Sequence, residues 1–248
     1  MTDFVVVIPC RYASVRLPGK PLLDINGKPM IEHVWDRATE SAAVEVVIAT
    51  DDERIAAAAE SFGALVCMTG AQHSSCTERI AEVADIMDWP DERIVVNLQG
   101  DEPTMPPHLL DECAGLLDDA TADIATLASP FLSQADFGSP NCVKVIRDER
   151  GHAIYFSRAA IPYARDGGDD EARSAALHHH GIYAYRCGVL RRLVAAQPSR
   201  IEVCEQLEQL RALSLGMTIA VGIPSERPGA GVDVAEDIAR VKAALAQP

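Results

Sequence analysis

The chain has 248 residues, 48% hydrophobic and 24% charged, with 37 acidic against 22 basic side chains and a formal net charge of −15. That is globular composition, long enough for one sizeable α/β domain with or without a subdomain. So acidic a chain argues against general nucleic-acid or anionic-membrane binding, though not against a local basic pocket, and no apolar run reaches membrane-span length.

FVVVIP (4–9) reads as a buried strand, followed by a loop. PMIEHVWDRATESA (29–42) has helical spacing, and EVVIAT (45–50) is a second buried strand. DDERIAAAAESFG (51–63) predicts a helix with acids in its first turn and a glycine stop. ALVCM (64–68) is a short strand, TERIAEVADIMD (77–88) a helix, and ERIVVNLQ (92–99) a strand running into GDEP. Strands that are apolar throughout, alternating with helices, predict a parallel sheet covered on both faces.

The pattern changes after residue 120. ADIATLASPF, CVKVIRD, HAIYFS and LHHHGIYAYR are strand-like, without helices of full length between them. DERG (148–151) reads as a hairpin turn. RDGGDDEARSA (165–175) is polar and glycine-bearing and is expected to be a disordered loop. Helical pattern returns at CEQLEQLRALSLG (204–216), and the strand MTIAVGI and helix EDIARVKAALA close the chain. The expected fold class is α/β: a Rossmann-like, mostly parallel sheet with helices on both faces, plus a β-rich insertion. Residues 1–120 and 217–248 form the nucleotide-binding unit and 121–216 the insertion. Seven cysteines, an odd number without C-x-x-C spacing, read as reduced thiols. With no signal peptide, a cytoplasmic location is expected.

IPCRYASVRLPGKPL (8–22) places Arg11, Arg16 and Lys20 beside Gly19, Pro18 and Pro21. It is neither a Walker loop nor G-x-G-x-x-G. A strand, a cationic loop and a helix suit several phosphates held by side chains and backbone together. The same charges could instead face water. GDEP puts Asp101 at the carboxyl end of a strand, where open parallel sheets bind ligands. A carboxylate facing a polyphosphate points to Mg²⁺. Asp233, in GAGVDVAED (229–237), is either a second Mg²⁺ ligand or the N-cap of the helix that follows. In the HHH run, His178 and His180 share one strand face. They suit Zn²⁺ or hydrogen bonding, and spacing places no third ligand.

These motifs, with DINGKPMIEHV, HSSCTER, SPNCVKV, YFSRAAIPY, HHHGIYAYR and LEQLR, run in order from residue 5 to about 240. Together they closely resemble the 3-deoxy-manno-octulosonate (Kdo) cytidylyltransferase family. The resemblance implies CTP in the Rossmann-like half, with Arg11, Arg16 and Lys20 on the triphosphate and Mg²⁺ on Asp101 and Asp233. It places Gln72, Ser74 and Ser75 beside the nucleoside. It places Gln99, Arg158, His180, Tyr185, Glu205 and Gln209 in the sugar pocket, with Arg158 pairing the Kdo carboxylate through two hydrogen bonds. Members are homodimers that pair through the β-rich insertion and serve lipopolysaccharide synthesis. The implied reaction is in-line attack of the Kdo anomeric hydroxyl on the α-phosphorus of CTP. Two rival readings are a cytidylyltransferase for another acid sugar, such as 8-amino-Kdo or a sialate, and a silent CTP-binding homologue. The segment GAQHSSCTER (70–79) departs from the family's D-H-x-S-G-T-[DE]-R, with Gln72 for the acid and Cys76 for the glycine. The expected outcome is an ordinary backbone at Cys76, since cysteine disfavours positive φ.

Overall fold

Successive residues of strand β1 (Phe4–Cys10) point into two different cores. Val5 and Val7 join one apolar cluster, and Phe4, Val6 and Ile8 join the other. This is what a strand buried on both faces requires. The computed structural model describes residues 2–13, 17–119, 121–229 and 231–246. Arg16 lies outside them.

The elements follow in order. After β1 come the two-residue strands β2 (Asp24–Ile25) and β3 (Lys28–Pro29), then α1 (Met30–Thr39), β4 (Glu45–Thr50), α2 (Glu53–Ser61), β5 (Leu65–Met68), α3 (Cys76–Ile86) and β6 (Ile94–Asn97). The middle of the chain holds α4 (Pro107–Gly115), β7 (Ile124–Pro130), α5 (Gln134–Gly138), β8 (Lys144–Arg147), β9 (Ala153–Ser157) and α6 (Asp169–Ala175). Then come β10 (Leu177–Arg186), α7 (Cys187–Ala195), α8 (Arg200–Glu205), α9 (Gln209–Ser214), β11 (Ile219–Gly222) and α10 (Ala235–Leu245).

Among the described residues one large sheet runs β11-β7-β10-β6-β1-β4-β5, with β8 beside β10 and β9 beside β8. β1 pairs in parallel with β4 and β6, β4 with β5, and β7 with β11. β10 is antiparallel to both β6 and β7. Its N-terminal end therefore lies on the same rim as the carboxyl ends of β1 and β6. Helices α3 and α7 cover one face through Ile80, Val83, Leu190 and Leu193. Helices α1, α2 and α4 cover the other through Val34, Ile55 and Leu109. The α/β, mostly parallel architecture expected from the sequence is thus present. Both units of the expected division share this sheet, because β7 and β10 lie inside it.

Three local expectations are corrected. Residues 165–175 are not a disordered loop: Asp169–Ala175 is helical, anchored where Ala172 and Ala176 pack with Phe131 and Phe137. The helix expected over 204–216 is two short helices, divided at Gln206, whose φ of 53° is left-handed. Helices α4 and α7 are additions, and α7 starts directly after β10 without turn residues.

Helices α8 and α9 are clamped by a buried ion pair. Ser199 and Glu202 form a capping box, and Arg211 donates to Glu202 at 3.0 Å through Nε and 2.6 Å through Nη2. Arg211→Met leaves the buried Glu202 carboxylate unpaired. Unfolding by urea should show a loss of about 3 kcal/mol. A loss below about 1 kcal/mol would mean that solvent reaches the carboxylate.

Candidate active site

The rim is built from close backbone approaches. At Gly100 a Cβ would stand 2.5 Å from Cys10 Sγ and 3.2 Å from the Pro9 carbonyl. Glycine there lets the loop after β6 lie against the end of β1, which brings Asp101 to the first loop. The 231–233 segment closes over it, with the Val232 N–H donating to the Asp101 carbonyl at 2.9 Å. Gly231 makes room for Glu102, whose Oε1 lies 2.7 Å from where a Cβ would be.

The buried Lys20 ammonium donates to Asp101 Oδ2 at 2.6 Å, and Asp233 Oδ1 lies 3.9 Å away. Lys20 gets there through Gly19, whose φ of 71° turns the chain into the short 3-10 helix Lys20–Leu22. Asp233 is not the helix cap. The Asp233 and Val234 N–H groups both donate to Asp237 Oδ2, at 2.8 and 3.0 Å, so Asp237 serves the start of α10. That leaves the Asp233 carboxylate turned toward Lys20. Desolvation, with the charges of Asp101 and Asp233, pushes the Glu102 carboxyl up to about 8, so it is protonated at neutral pH.

Three clefts meet at Gln99. One, of about 290 Å³, is lined by Arg11, Lys20, Cys76, Asp101 and Asp233. A second, of about 240 Å³, is lined by Cys76, Asn97, Tyr183, Tyr185, Glu208 and Gln209. The third, about 740 Å³, has Asp101 and Asp233 at its edge and takes in His178, His180 and Arg227. Asn97 and Tyr183 line the second cleft, and each carries a buried polar atom, Asn97 Oδ1 and Tyr183 Oη, with no hydrogen-bond partner among the described residues. They belong to cross-strand partners on β6 and β10. Asn97 is 3% exposed and Tyr183 9%. Buried polar atoms left unpaired are costly, and in a cleft they fit a ligand rich in hydroxyls. The sequence reading treated both residues only as strand members.

The expected site residues divide. Arg11, Lys20, Gln99, Asp101, Asp233, Tyr185 and Gln209 come together around these clefts. His180 lines the third cleft, where its Nε2 meets Ser129 Oγ at 2.8 Å. The imidazole that borders the second cleft is His179. Its Nε2 lies 2.9 Å from Thr126 Oγ1, whose proton goes to the Ile182 carbonyl at 2.6 Å. His179 therefore donates from Nε2. A bulge between His179 and Tyr183, with Gly181 at φ 72°, breaks the simple alternation along β10. Burial pushes His179 and His180 down to about 3, with help from the neighbouring imidazoles.

Arg158 and Glu205 pair with each other's segments, away from the lining of all three clefts. Arg158 Nε donates to the Glu205 carbonyl at 2.8 Å, Nη1 to the Pro140 carbonyl at 3.0 Å and Nη2 to the Gln206 carbonyl at 3.3 Å. Glu205 accepts from Ser157 Oγ at 2.6 Å and from the Arg158 N–H at 2.9 Å. Three of the five guanidinium donors are thus engaged with main-chain carbonyls. Ser75 caps α3, and its Oγ donates to Glu208 Oε1 at 2.9 Å, while Thr77 Oγ1 donates to Glu208 Oε2 at 2.7 Å. Ser74 binds the Glu78 carboxylate instead. Gln72 is exposed and lies over Gly70. Cys76 is the first residue of α3, so its backbone is helical and no left-handed residue is needed there.

A cationic first loop facing strand-end carboxylates on a mostly parallel sheet is the arrangement of a nucleotidyl-transferring enzyme. The chain belongs to the cytidylyltransferase family, whose profile matches residues 5–219. Among its relatives, a 3-deoxy-manno-octulosonate cytidylyltransferase of Vibrio campbellii is 51% identical over 248 residues, covering 99% of this chain and 98% of that one. Another from Actinobacillus pleuropneumoniae serotype 5b is 50% identical, covering 98% and 100%. A solved structure of CMP:2-keto-3-deoxy-manno-octonic acid synthetase complexed with CTP superposes with a TM-score of 0.91 at 42% identity, covering 99% of both chains. A 4-diphosphocytidyl-2C-methyl-D-erythritol synthase shares the fold, with a TM-score of 0.65 at 16% identity.

Two measurements check this geometry. Cys76→Gly should destabilise slightly, by about 0.5 kcal/mol, because glycine only adds unfolded-state entropy at a helical position. A gain in melting temperature would contradict the helical backbone. The histidines set a pH dependence. Unfolded histidine takes up a proton near pH 6.5, while folded His179 and His180 refuse it until about 3. Their contribution is therefore fully present above pH 6.5 and is lost as pH falls toward 3. Between pH 7 and 5, urea unfolding of His179→Asn should lose less stability than wild type. Equal slopes would show that His179 titrates normally.

Proposed function

We propose that the protein transfers CMP from CTP to the anomeric hydroxyl of 3-deoxy-manno-octulosonate and releases pyrophosphate. The observation that carries this reading is the meeting, at Gln99, of two unlike clefts. One has cations and carboxylates for a nucleoside triphosphate. The other ends in the orphaned Asn97 and Tyr183 oxygens, suited to a polyhydroxylated acceptor. The names of the relatives support both substrates.

Lys20 and Arg11 neutralise the triphosphate, and the family resemblance adds Arg16. Asp101 and Asp233 fit Mg²⁺: both are hard oxygen donors, and both already lie within 4 Å of a single cation, the Lys20 ammonium. Mg²⁺ held there supplies charge neutralisation on phosphate oxygens and lowers the pKa of an attacking hydroxyl. The acceptor oxygen bonds to the α-phosphorus, and the bond from that phosphorus to the bridging oxygen of the β-phosphate breaks. Protein side chains contribute by positioning and by charge, which dominate such transfers. Gln99 and Gln209 line the acceptor cleft and can hydrogen bond sugar hydroxyls. Assignment as a homodimer in lipopolysaccharide synthesis rests on the resemblance. It is supported by the exposed Leu132, Ile154 and Tyr163 on the β-rich segment. No described helix is long and apolar enough to cross a membrane, which is consistent with the expected cytoplasmic location.

Pyrophosphate release should be measured with CTP, Mg²⁺ and a panel of sugar acids, and Kdo should give the highest kcat/KM. Faster turnover of 8-amino-Kdo or a sialate would reassign the acceptor, and no release with any acid would defeat the reading. Asp101→Asn and Asp233→Asn should each cut turnover at least about 100-fold, the several kcal/mol expected from lost metal assistance, and the exposed Asp233→Asn should do so with little change in melting temperature. Wild-type turnover in either variant would remove that residue from the metal site.

A further inference from the structure

The two described cations of the first loop flank a ring that is gripped from both sides. The Arg54 guanidinium lies over the Tyr12 ring, with its central carbon 3.4 Å from the ring centroid. Gly19 leaves room for the ring: a Cβ there would stand 3.1 Å from Tyr12 Cε2, Cζ and Oη, so a side chain at that position would crowd it. The Gly19 N–H also donates to the Tyr12 carbonyl at 3.0 Å. Tyr12 follows Arg11, and Gly19 precedes Lys20.

Arg54 is itself fixed. Asp52 caps α2 by accepting from the Arg54 N–H at 3.0 Å. The same carboxylate holds the guanidinium twice, Nε at 2.9 Å and Nη2 at 2.7 Å. A two-point guanidinium–carboxylate contact fixes orientation as well as distance. The register thus runs from the helix cap to Arg54, from Arg54 to the Tyr12 ring, and from the ring to the chain on either side of it.

We propose that Tyr12 and Arg54 are positioning residues for nucleotide binding: the ring clamped between Arg54 and Gly19 sets the places of Arg11 and Lys20, without touching substrate. This rests on the reading of Arg11 and Lys20 as triphosphate ligands. Arg11 and Lys20 line the same cleft, and a rigid support fixes where both stand before the anion arrives.

The test is steady-state kinetics and CTP affinity of the full chain, with Lys20→Met run in parallel. Tyr12→Leu should raise the KM for CTP about tenfold and leave the KM for the acceptor within twofold. Tyr12→Phe keeps the ring and should restore wild-type KM. Arg54→Met removes an exposed guanidinium and should raise the CTP KM about fivefold, the size of a cation–π contact near the surface. The double variant should be no worse than Tyr12→Leu alone, because both act through one contact. Equal losses for both substrates, additive effects in the double variant, or no rescue by phenylalanine would each overturn the clamp. If Lys20→Met leaves CTP affinity unchanged, the triphosphate reading itself fails; if it weakens CTP while the Tyr12 and Arg54 variants do not, only the clamp fails.

Discussion

The ion pair of Lys20 with Asp101 organises the rim. An ammonium this buried needs a partner, since an unpaired buried charge costs several kcal/mol. Meeting that need pulls the first loop onto the end of β6 and draws the 231–233 segment across both. Gly100 and Gly231 are required because the partners must come closer than side chains allow. The same contact serves chemistry. The two carboxylates share one positive charge, and the lysine that supplies it lines the first cleft together with Arg11.

The antiparallel β10 has a second organising effect. A row of parallel strands alone would place only strand ends and loops at the rim. By entering the sheet in reverse, β10 brings its N-terminal residues there, including His179, and sets Tyr183 opposite Asn97. The second cleft is therefore walled by strand residues, whose positions are fixed by the sheet ladder. Glu208, which accepts from both Ser75 and Thr77, ties that wall to the first turn of α3.

Much of this was legible in the sequence, for identifiable reasons. The strands of the first half are apolar throughout and bounded by clear turn and cap residues. Asp101 could be placed because it follows such a strand directly. The differences have physical causes. The structure sets His180 in the third cleft and His179 beside the second, where β10 bulges before Tyr183. Arg158 donates to backbone carbonyls, contacts that a sequence does not show. Helix α6 was missed because its anchors are alanines, which carry almost no periodic signal. The orphaned oxygens of Asn97 and Tyr183 are a property of the packed sheet alone.

The 231–233 segment also fixes when, during synthesis, the rim is complete. Lys20 and Asp101 leave the ribosome early, but Asp233 and the Val232 N–H that braces Asp101 follow 132 residues after Asp101 (233 − 101). At roughly 5–20 residues per second, that is an interval of about 7 to 26 s. Strands β1, β4, β5 and β6 can pair within that time, whereas β10, β7 and β11 must be inserted beside them later. A nascent chain therefore carries a parallel half-sheet with an open edge at β6, and completes the rim only after Val232 and Asp233 have emerged.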